Sequence, residues 1–332
     1  MTPIQECLIN KSTKHNPIWL MRQAGRYLPE FREIRQKNPN FIQLCLNEKL
    51  SEIITTQPID RFDFDAAIIF SDILMVPFGL GQQVEFKKNF GPQLGNIDLD
   101  KILELDDESF TKKLLPIYKL LKNLKGSSKL INKDLIGFVG APWTLLVYMI
   151  NRVSPKNGLS NLFYKDAVLI ESILNILNRF IKLHIKNQVQ AGASIIQIFD
   201  SWAGLINKDF DKYLYEPTSS IVEYTKSLGV PVICFPRNIK DYKLYCEQTK
   251  PDAINIDYNL NLNNILKHLE IPIQGGMNPE ILLADKETIK NETKKYLDIF
   301  KDHPYIFNLG HGILPNTDPL MVDYLVKIVR DY

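Results

Sequence analysis

The chain has 332 residues, 45% hydrophobic and 23% charged, a balance typical of a globular protein with a sizeable core and unlike that of a disordered one. That length admits either two domains or one large α/β barrel. A formal net charge of +2 argues against a nucleic-acid or membrane-surface binder, which needs a basic stripe or arm.

Cys7, Cys45, Cys234 and Cys246 are scattered, with no C-x-x-C pair and no histidine at metal-ligand spacing, so a reduced compartment and no structural zinc are expected. Residues 1–17 are polar and carry no apolar run of the kind a signal peptide has, and no uninterrupted apolar stretch of about 18 residues follows. A cytoplasmic protein is expected.

Taken in chain order, the first strand candidate is the short run 18–21. Met21-Arg22-Gln23-Ala24-Gly25-Arg26-Tyr27-Leu28-Pro29 comes next, an i, i+4 arginine pair around a glycine, with a proline expected to end any helix soon after. Four of the chain's nine arginines lie between positions 22 and 35 in a protein that otherwise uses lysine. Planar guanidinium forks suit carboxylates, so the segment is a candidate anion site; a solvated basic face paired with Glu30 and Glu33 is the alternative.

A clear strand is expected at 66–70, leading into Ser71-Asp72. A carboxylate there has an apolar wall beneath it and should have a raised pKa; Asp72 could equally serve as a helix cap. Residues 82–128 have weaker strand signals, with Gly91, Pro92 and Gly95 marking turns, and are read as an insertion after the first clear strand.

Further strands are expected at 135–139, 194–199, 230–235, 253–256, 271–274 and 305–309. Between them lie amphipathic helices, including 166–191, with Leu169, Ile173, Ile176, Phe180, Leu183 and Val189 as its apolar stripe, and 217–228. Seven clear runs and a weaker eighth alternating with helices point to a parallel sheet with helical crossovers, hence a barrel, although an open doubly wound sheet alternates similarly. The residues with chemical potential follow several different strands, which favours the barrel, whose active site gathers at the C-terminal ends of its strands.

Those residues include Gly140-Ala141-Pro142-Trp143-Thr144 with Tyr148, and Phe199-Asp200-Ser201-Trp202, which set aromatic faces beside a few polar groups, as a large flat ligand requires. Gly310-His311-Gly312 follows the last strand and holds a histidine that can hydrogen-bond or titrate near neutrality. His15, His184, His268 and His303 are read as structural or solvated, and Gly275-Gly276 as a turn. No Walker, G-x-G-x-x-G or H-E-x-x-H pattern occurs.

Taken together, the segments 21–35, 66–74, 136–149, 197–204, 273–279 and 307–315 closely resemble the uroporphyrinogen decarboxylase family, from near the N-terminus almost to the end. The resemblance implies a single-domain (β/α)8 TIM-type barrel over residues 1–332, assembled as a homodimer. Its cleft would take uroporphyrinogen, a reduced tetrapyrrole with eight carboxylates, and convert four acetates to methyls, giving coproporphyrinogen. Arg22, Gln23, Ala24, Gly25, Arg26, Asp72, Tyr148, Ser201 and His311 occupy the family's substrate-contacting positions, and Phe138 and Phe199 match its cleft-lining aromatics. Two turns depart from the family pattern: Phe235-Pro236-Arg237-Asn238 replaces a small glycine-containing turn, and Gly276-Met277-Asn278-Pro279 stands where many relatives have Asn-Leu-Asp-Pro.

The implied chemistry needs no pyridoxal, thiamine or metal, because protonating a pyrrole ring carbon creates the electron sink within the substrate. Asp72 is expected to face the pyrrole N–H groups, with Arg22 and Arg26 holding carboxylates. The proton donor stays open between an arginine, a poor acid, and Asp72 or a relayed water. Two other readings compete: a corrinoid-linked methyltransferase, for which no cysteine accompanies His311, and a non-catalytic tetrapyrrole carrier.

Overall fold

The computed structural model describes residues 1–12, 14–87, 90–156 and 158–332. Its main sheet is parallel and runs β1 (Ala66–Ile68), β4 (Asp134–Gly140), β5 (Ile195–Asp200), β6 (Val232–Pro236), β7 (Ala253–Ile256), β8 (Ile273–Gly275) and β9 (Tyr305–Ile306). A separate antiparallel ribbon pairs β2 (Val84–Lys87) with β3 (Gly91–Leu94). Strand order in the main sheet follows sequence order without the reversal of a doubly wound sheet. Helices such as Ala167–Ala191, Glu216–Ser227 and Lys286–Phe300 make the crossovers.

The run around Ile18 sits against both edges of this curled sheet. Ile18 bridges in parallel to Phe307, just past β9, and the Phe307 N–H donates to Pro17 O at 2.8 Å. On the other side the Asp65 N–H, just before β1, donates to Ile18 O at 2.8 Å.

Alternation along the strands separates two cores. Trp19, Met21, Ala66, Ile136, Ile195, Ile233, Phe235, Ala253 and Ile306 pack together inside the curl, where Ile4, Cys7 and Leu8 of the helix Pro3–Asn10 join them. The larger core lies between the sheet's outer face and the crossover helices. Above the inner apolar layer is a polar one. Gln274 Nε2 donates to Gln197 Oε1 at 3.1 Å and Asn255 Oδ1 at 2.8 Å, while Trp19 Nε1 donates to Gln274 Oε1 at 2.9 Å.

Three expectations are corrected in detail. The long helix begins at Ala167 with Asp166 capping the Leu169 N–H, but its most buried stripe runs through Ile170, Ile173, Leu177, Ile181, Ile185 and Gln188. Leu169, Ile176, Leu183 and Val189 only flank it. The helix packs on Asp107–Lys125, Pro142–Asn151 and Glu216–Ser227 as well as the sheet, so its buried face is broader and rotated.

Pro29 does not end a helix but starts one, Pro29–Lys37, where its missing N–H costs nothing. Residues 21–28 form turns, so Arg22 and Arg26 are not on one helical face. Within 82–128, the ribbon stands apart from the sheet, but Asp107–Lys125 is a helix packed on Glu48–Arg61 and Ala167–Ala191, and its acidic start is a capped N-terminus. Residues 88 and 89 of that segment lie outside the described residues.

Candidate active site

Asp72, Phe199, Ser201 and His311 lie at or just beyond the C-terminal end of a strand, Phe138 lies in the last half of β4, Tyr148 lies in the helix Pro142–Asn151 that follows β4, and the 22–26 turn follows the Ile18 run in the same sense. Arg22 adopts left-handed backbone, φ +60°, which a non-glycine residue rarely takes and which costs about 1–3 kcal/mol. The conformation is fixed from below by Gln23. That side chain is fully buried, accepting the Leu20 N–H at 3.2 Å and donating to Ala66 O at 3.0 Å, so it holds the turn and presents nothing to solvent. Ala24 and Gly25 complete the turn, half-exposed.

The Arg22 side chain lies across Gly312, where an added Cβ would collide with its Cδ and Cγ; only glycine leaves room for the guanidinium. Arg22 remains solvent-accessible, yet it is desolvated enough that burial, then Arg26, pushes its guanidinium below the usual value while Asp72 opposes them. Access combined with desolvation describes a concave surface reached by water from one side. Neither Arg22 nor Arg26 has an acidic partner within 4.0 Å among the described residues, and Glu30 pairs instead with Arg61 at 3.4 Å. A solvated basic face paired with nearby glutamates is therefore not what forms.

Asp72 sits just past β1 over buried Phe70, Leu74 and Met75. One oxygen accepts the Leu74 N–H at 2.8 Å, the local turn bond that a capping role anticipates, but the other accepts no hydrogen bond from the described residues. Burial raises its pKa to about 6, against the opposing effects of the Leu74 N–H and Arg22. The carboxylate is thus ionised at neutrality and poised near it.

The opening's walls are aromatic. Phe138 and Phe199 meet edge to face at 5.6 Å, and Phe199 meets Phe235 at 6.4 Å. Tyr148 packs edge-on against Trp202 at 5.9 Å, its hydroxyl pKa raised by burial and within electrostatic reach of Asp72 and Arg22. Ser201 follows β5 directly and is half-exposed.

His311 lies beside Arg22 and Arg237, where burial first, and then those two cations, push its pKa down to about 4. It is a neutral imidazole rather than a group titrating near neutrality, so it can donate or accept a hydrogen bond without adding charge.

A family model for uroporphyrinogen decarboxylase (URO-D) matches residues 1–332. Among curated relatives, uroporphyrinogen decarboxylase from Rickettsia bellii (strain RML369-C) is 39% identical over 95% of this chain and 95% of its own length. That from Orientia tsutsugamushi (strain Ikeda) is 40% identical over 100% and 99%, and that from Campylobacter jejuni 40% identical over 98% of each. This chain belongs to the uroporphyrinogen decarboxylase family. Among solved structures, a methyltransferase from Methanosarcina mazei superposes with a TM-score of 0.74 at 15% identity, covering 99% of this chain and 97% of that one. That likeness concerns the fold alone.

Family membership gives the remaining groups at the opening a context that the sequence alone did not. Phe235 registers with Phe199 across β5 and β6 and extends the aromatic wall. Asp200, the next residue after Phe199, points to the helix side of the sheet. There its carboxyl takes a 2.5 Å hydrogen bond from the Thr144 hydroxyl, which in turn accepts the Trp202 N–H at 3.0 Å, fixing the turn that carries Ser201. Full burial raises Asp200 to about 7. Arg237 is the third such group, and the only sign of it was the departure of its turn from the family pattern. Among the described residues no group of three or more His, Cys, Asp or Glu side chains could hold a metal, and no helix is long and apolar enough to cross a membrane.

Proposed function

We propose that this protein decarboxylates the four acetate arms of uroporphyrinogen III, giving coproporphyrinogen III and carbon dioxide in haem biosynthesis. Full-length family membership supports the substrate. The observation that carries the chemistry is Asp72: a recessed carboxylate with one oxygen unclaimed, within electrostatic reach of Arg22, which makes no ion pair within 4.0 Å among the described residues.

Loss of carbon dioxide from –CH2–COO⁻ leaves an electron pair that needs a destination. A proton added to the adjacent pyrrole ring carbon makes the ring a cationic acceptor; the C–C bond then breaks and its electrons form an exocyclic methylene. A second proton converts that methylene to methyl while the ring carbon gives its proton back, so each arm consumes one proton overall. The positive charge grows only as the ring is protonated, and Asp72 facing the pyrrole N–H groups is therefore worth more in the transition state than in the ground state. Desolvation at the site strengthens that attraction relative to water.

Arg22 and Arg26 would hold substrate carboxylates in bidentate fashion, with the neutral His311, Tyr148 and Ser201 supplying further hydrogen bonds. Phe138 and Phe199 would pack against the macrocycle. Gln23 would act through the turn it locks.

We further propose that residues 1–332 form one domain, a (β/α)8 barrel closed by the run around Ile18, with the β2–β3 ribbon as an insertion. The hydrogen bonds from that run to both sheet edges support closure. The same reading makes the protein a cytoplasmic homodimer that needs no cofactor.

Anaerobic incubation of purified protein with uroporphyrinogen, with and without a metal chelator, tests the function through separation of products. Stepwise seven-, six-, five- and four-carboxylate products, unaffected by chelator, are expected. Tight binding of an unchanged octa-acid would instead make the protein a carrier, and turnover abolished by chelator would point to metal chemistry.

A further inference from the structure

Arg237 follows β6 in the turn Pro236-Arg237-Asn238, and its backbone is pinned across the end of β5: its N–H donates to Asp200 O and its carbonyl accepts the Gly204 N–H, both at 3.0 Å. Asp257, just past β7, stands beside its side chain, with Arg237 Nε 3.9 Å from Asp257 Oδ1. Asp257 Oδ2 is already occupied by the Asn238 N–H at 2.5 Å and the Tyr242 hydroxyl at 3.1 Å. The carboxylate is thus held in place by others and keeps Oδ1 turned to the arginine. Nε and Oδ1 are both buried and make no hydrogen bond, while 26% of the Arg237 side chain is exposed.

The chain brings this pair to the opening already described. Gly310 packs directly on the backbone of Asp257 and Tyr258, and Gly312 packs under the Arg22 side chain. The short segment 310–312 therefore has Asp257 and Arg237 on one side, Arg22 on the other and His311 between. Two guanidiniums converge here, and the terminal nitrogens of Arg237 meet no acceptor among the described residues. Two guanidiniums whose terminal nitrogens meet no acceptor among the described residues suit an anion carried in by the ligand.

We propose that Arg237 is a third carboxylate clamp of this opening. Its terminal nitrogens take a substrate carboxylate remote from the reacting arm, while Asp257 orients the guanidinium from behind. The proposal rests on the uroporphyrinogen reading and deepens it, since a substrate with a carboxylate on every side of the ring needs cations from more than one segment of the chain. A planar fork is the group suited to the task, and its contact exists equally before and during reaction, so its loss belongs in KM rather than kcat.

Steady-state kinetics on uroporphyrinogen, comparing wild type with Arg237→Gln, Arg237→Lys and Asp257→Asn, test this. Arg237→Gln should raise KM by roughly ten- to a hundredfold and leave kcat within about threefold. Arg237→Lys, which keeps charge but not the fork, should recover part of that loss, and Asp257→Asn should fall between wild type and Arg237→Gln. The rise of KM with added salt should also be shallower in Arg237→Gln than in wild type. A folded Arg237→Gln enzyme with KM within about twofold of wild type overturns the clamp. So does equal impairment of the Gln and Lys variants accompanied by a matching fall in melting temperature, which would make Arg237 structural. Wild-type turnover in the same assay separates this inference from the functional reading: if wild type is inactive on the octa-acid the reading itself fails, whereas active wild type with an indifferent Arg237→Gln removes the clamp alone.

Discussion

The two ends of the same sheet pair their carboxylates differently. At the N-terminal end Asp134 takes hydrogen bonds from the Thr2 hydroxyl, from Gln5 Nε2 at 3.0 Å and from the Ser194 hydroxyl at 2.8 Å. Asp65 accepts the Ile18 N–H at 2.6 Å and faces Arg330 at 2.9 Å. At the C-terminal end Asp72 leaves one oxygen without a hydrogen bond, and Arg237 and Asp257 face each other without forming one. Burial raises the carboxyl pKa at both ends, so desolvation alone does not mark the site. Pairing does: below, Asp134 has both oxygens hydrogen-bonded and Asp65 pairs with Arg330 at 2.9 Å, whereas above Asp72 has a single hydrogen bond and no cation within 4.0 Å among the described residues.

That contrast can be broken from either side. Arg22→Ala should lower kcat/KM on uroporphyrinogen by roughly a hundredfold with little change in folding stability, because the arginine makes no ion pair within 4.0 Å among the described residues. A large fall in stability with normal kinetics would place Arg22 with the structural groups. Asp65→Ala should do the reverse, removing about 2 kcal/mol of stability in denaturant titration by stranding the buried Ile18 N–H, with Arg330 left only its pairing to Asp63, while kcat per folded molecule stays the same. The pH profile is the mildest probe. If Asp72 works as a carboxylate, kcat/KM holds above its pKa of about 6 and falls about tenfold by pH 5 as the group protonates. His311, held near 4, adds no limb in that range. In Arg22→Ala the limb should move to higher pH, since Arg22 is one of the groups restraining Asp72. Activity that instead rises on acidification through 6 would make Asp72 the proton donor.

Strand alternation is a local property, and it located the strands well: β7 spans the expected 253–256, and the weak run at 18–21 holds a bridge at Ile18. Asp72, the 22–26 turn and His311 were readable because each follows a strand. What escaped depends on neighbours distant in sequence. Gln197 and Gln274 look like interruptions in apolar runs until curling the sheet brings them to 3.1 Å. Gln23 reads as part of a polar motif, but its partner is the carbonyl of Ala66, and the buried stripe of Ala167–Ala191 is set by which helices it meets. Arg237 carried no motif of its own, and its meaning comes from Asp257 and from the glycines that draw the last loop against them.

The account depends most on Asp72 serving the developing cation rather than the resting substrate. Calorimetric binding of uroporphyrinogen under anaerobic conditions, set beside single-turnover carbon dioxide release, measures both in Asp72→Asn. Affinity within about threefold of wild type together with release slowed by roughly a hundredfold or more is the predicted result. Release at a near-normal rate, or affinity lost in the same proportion as rate, would contradict it.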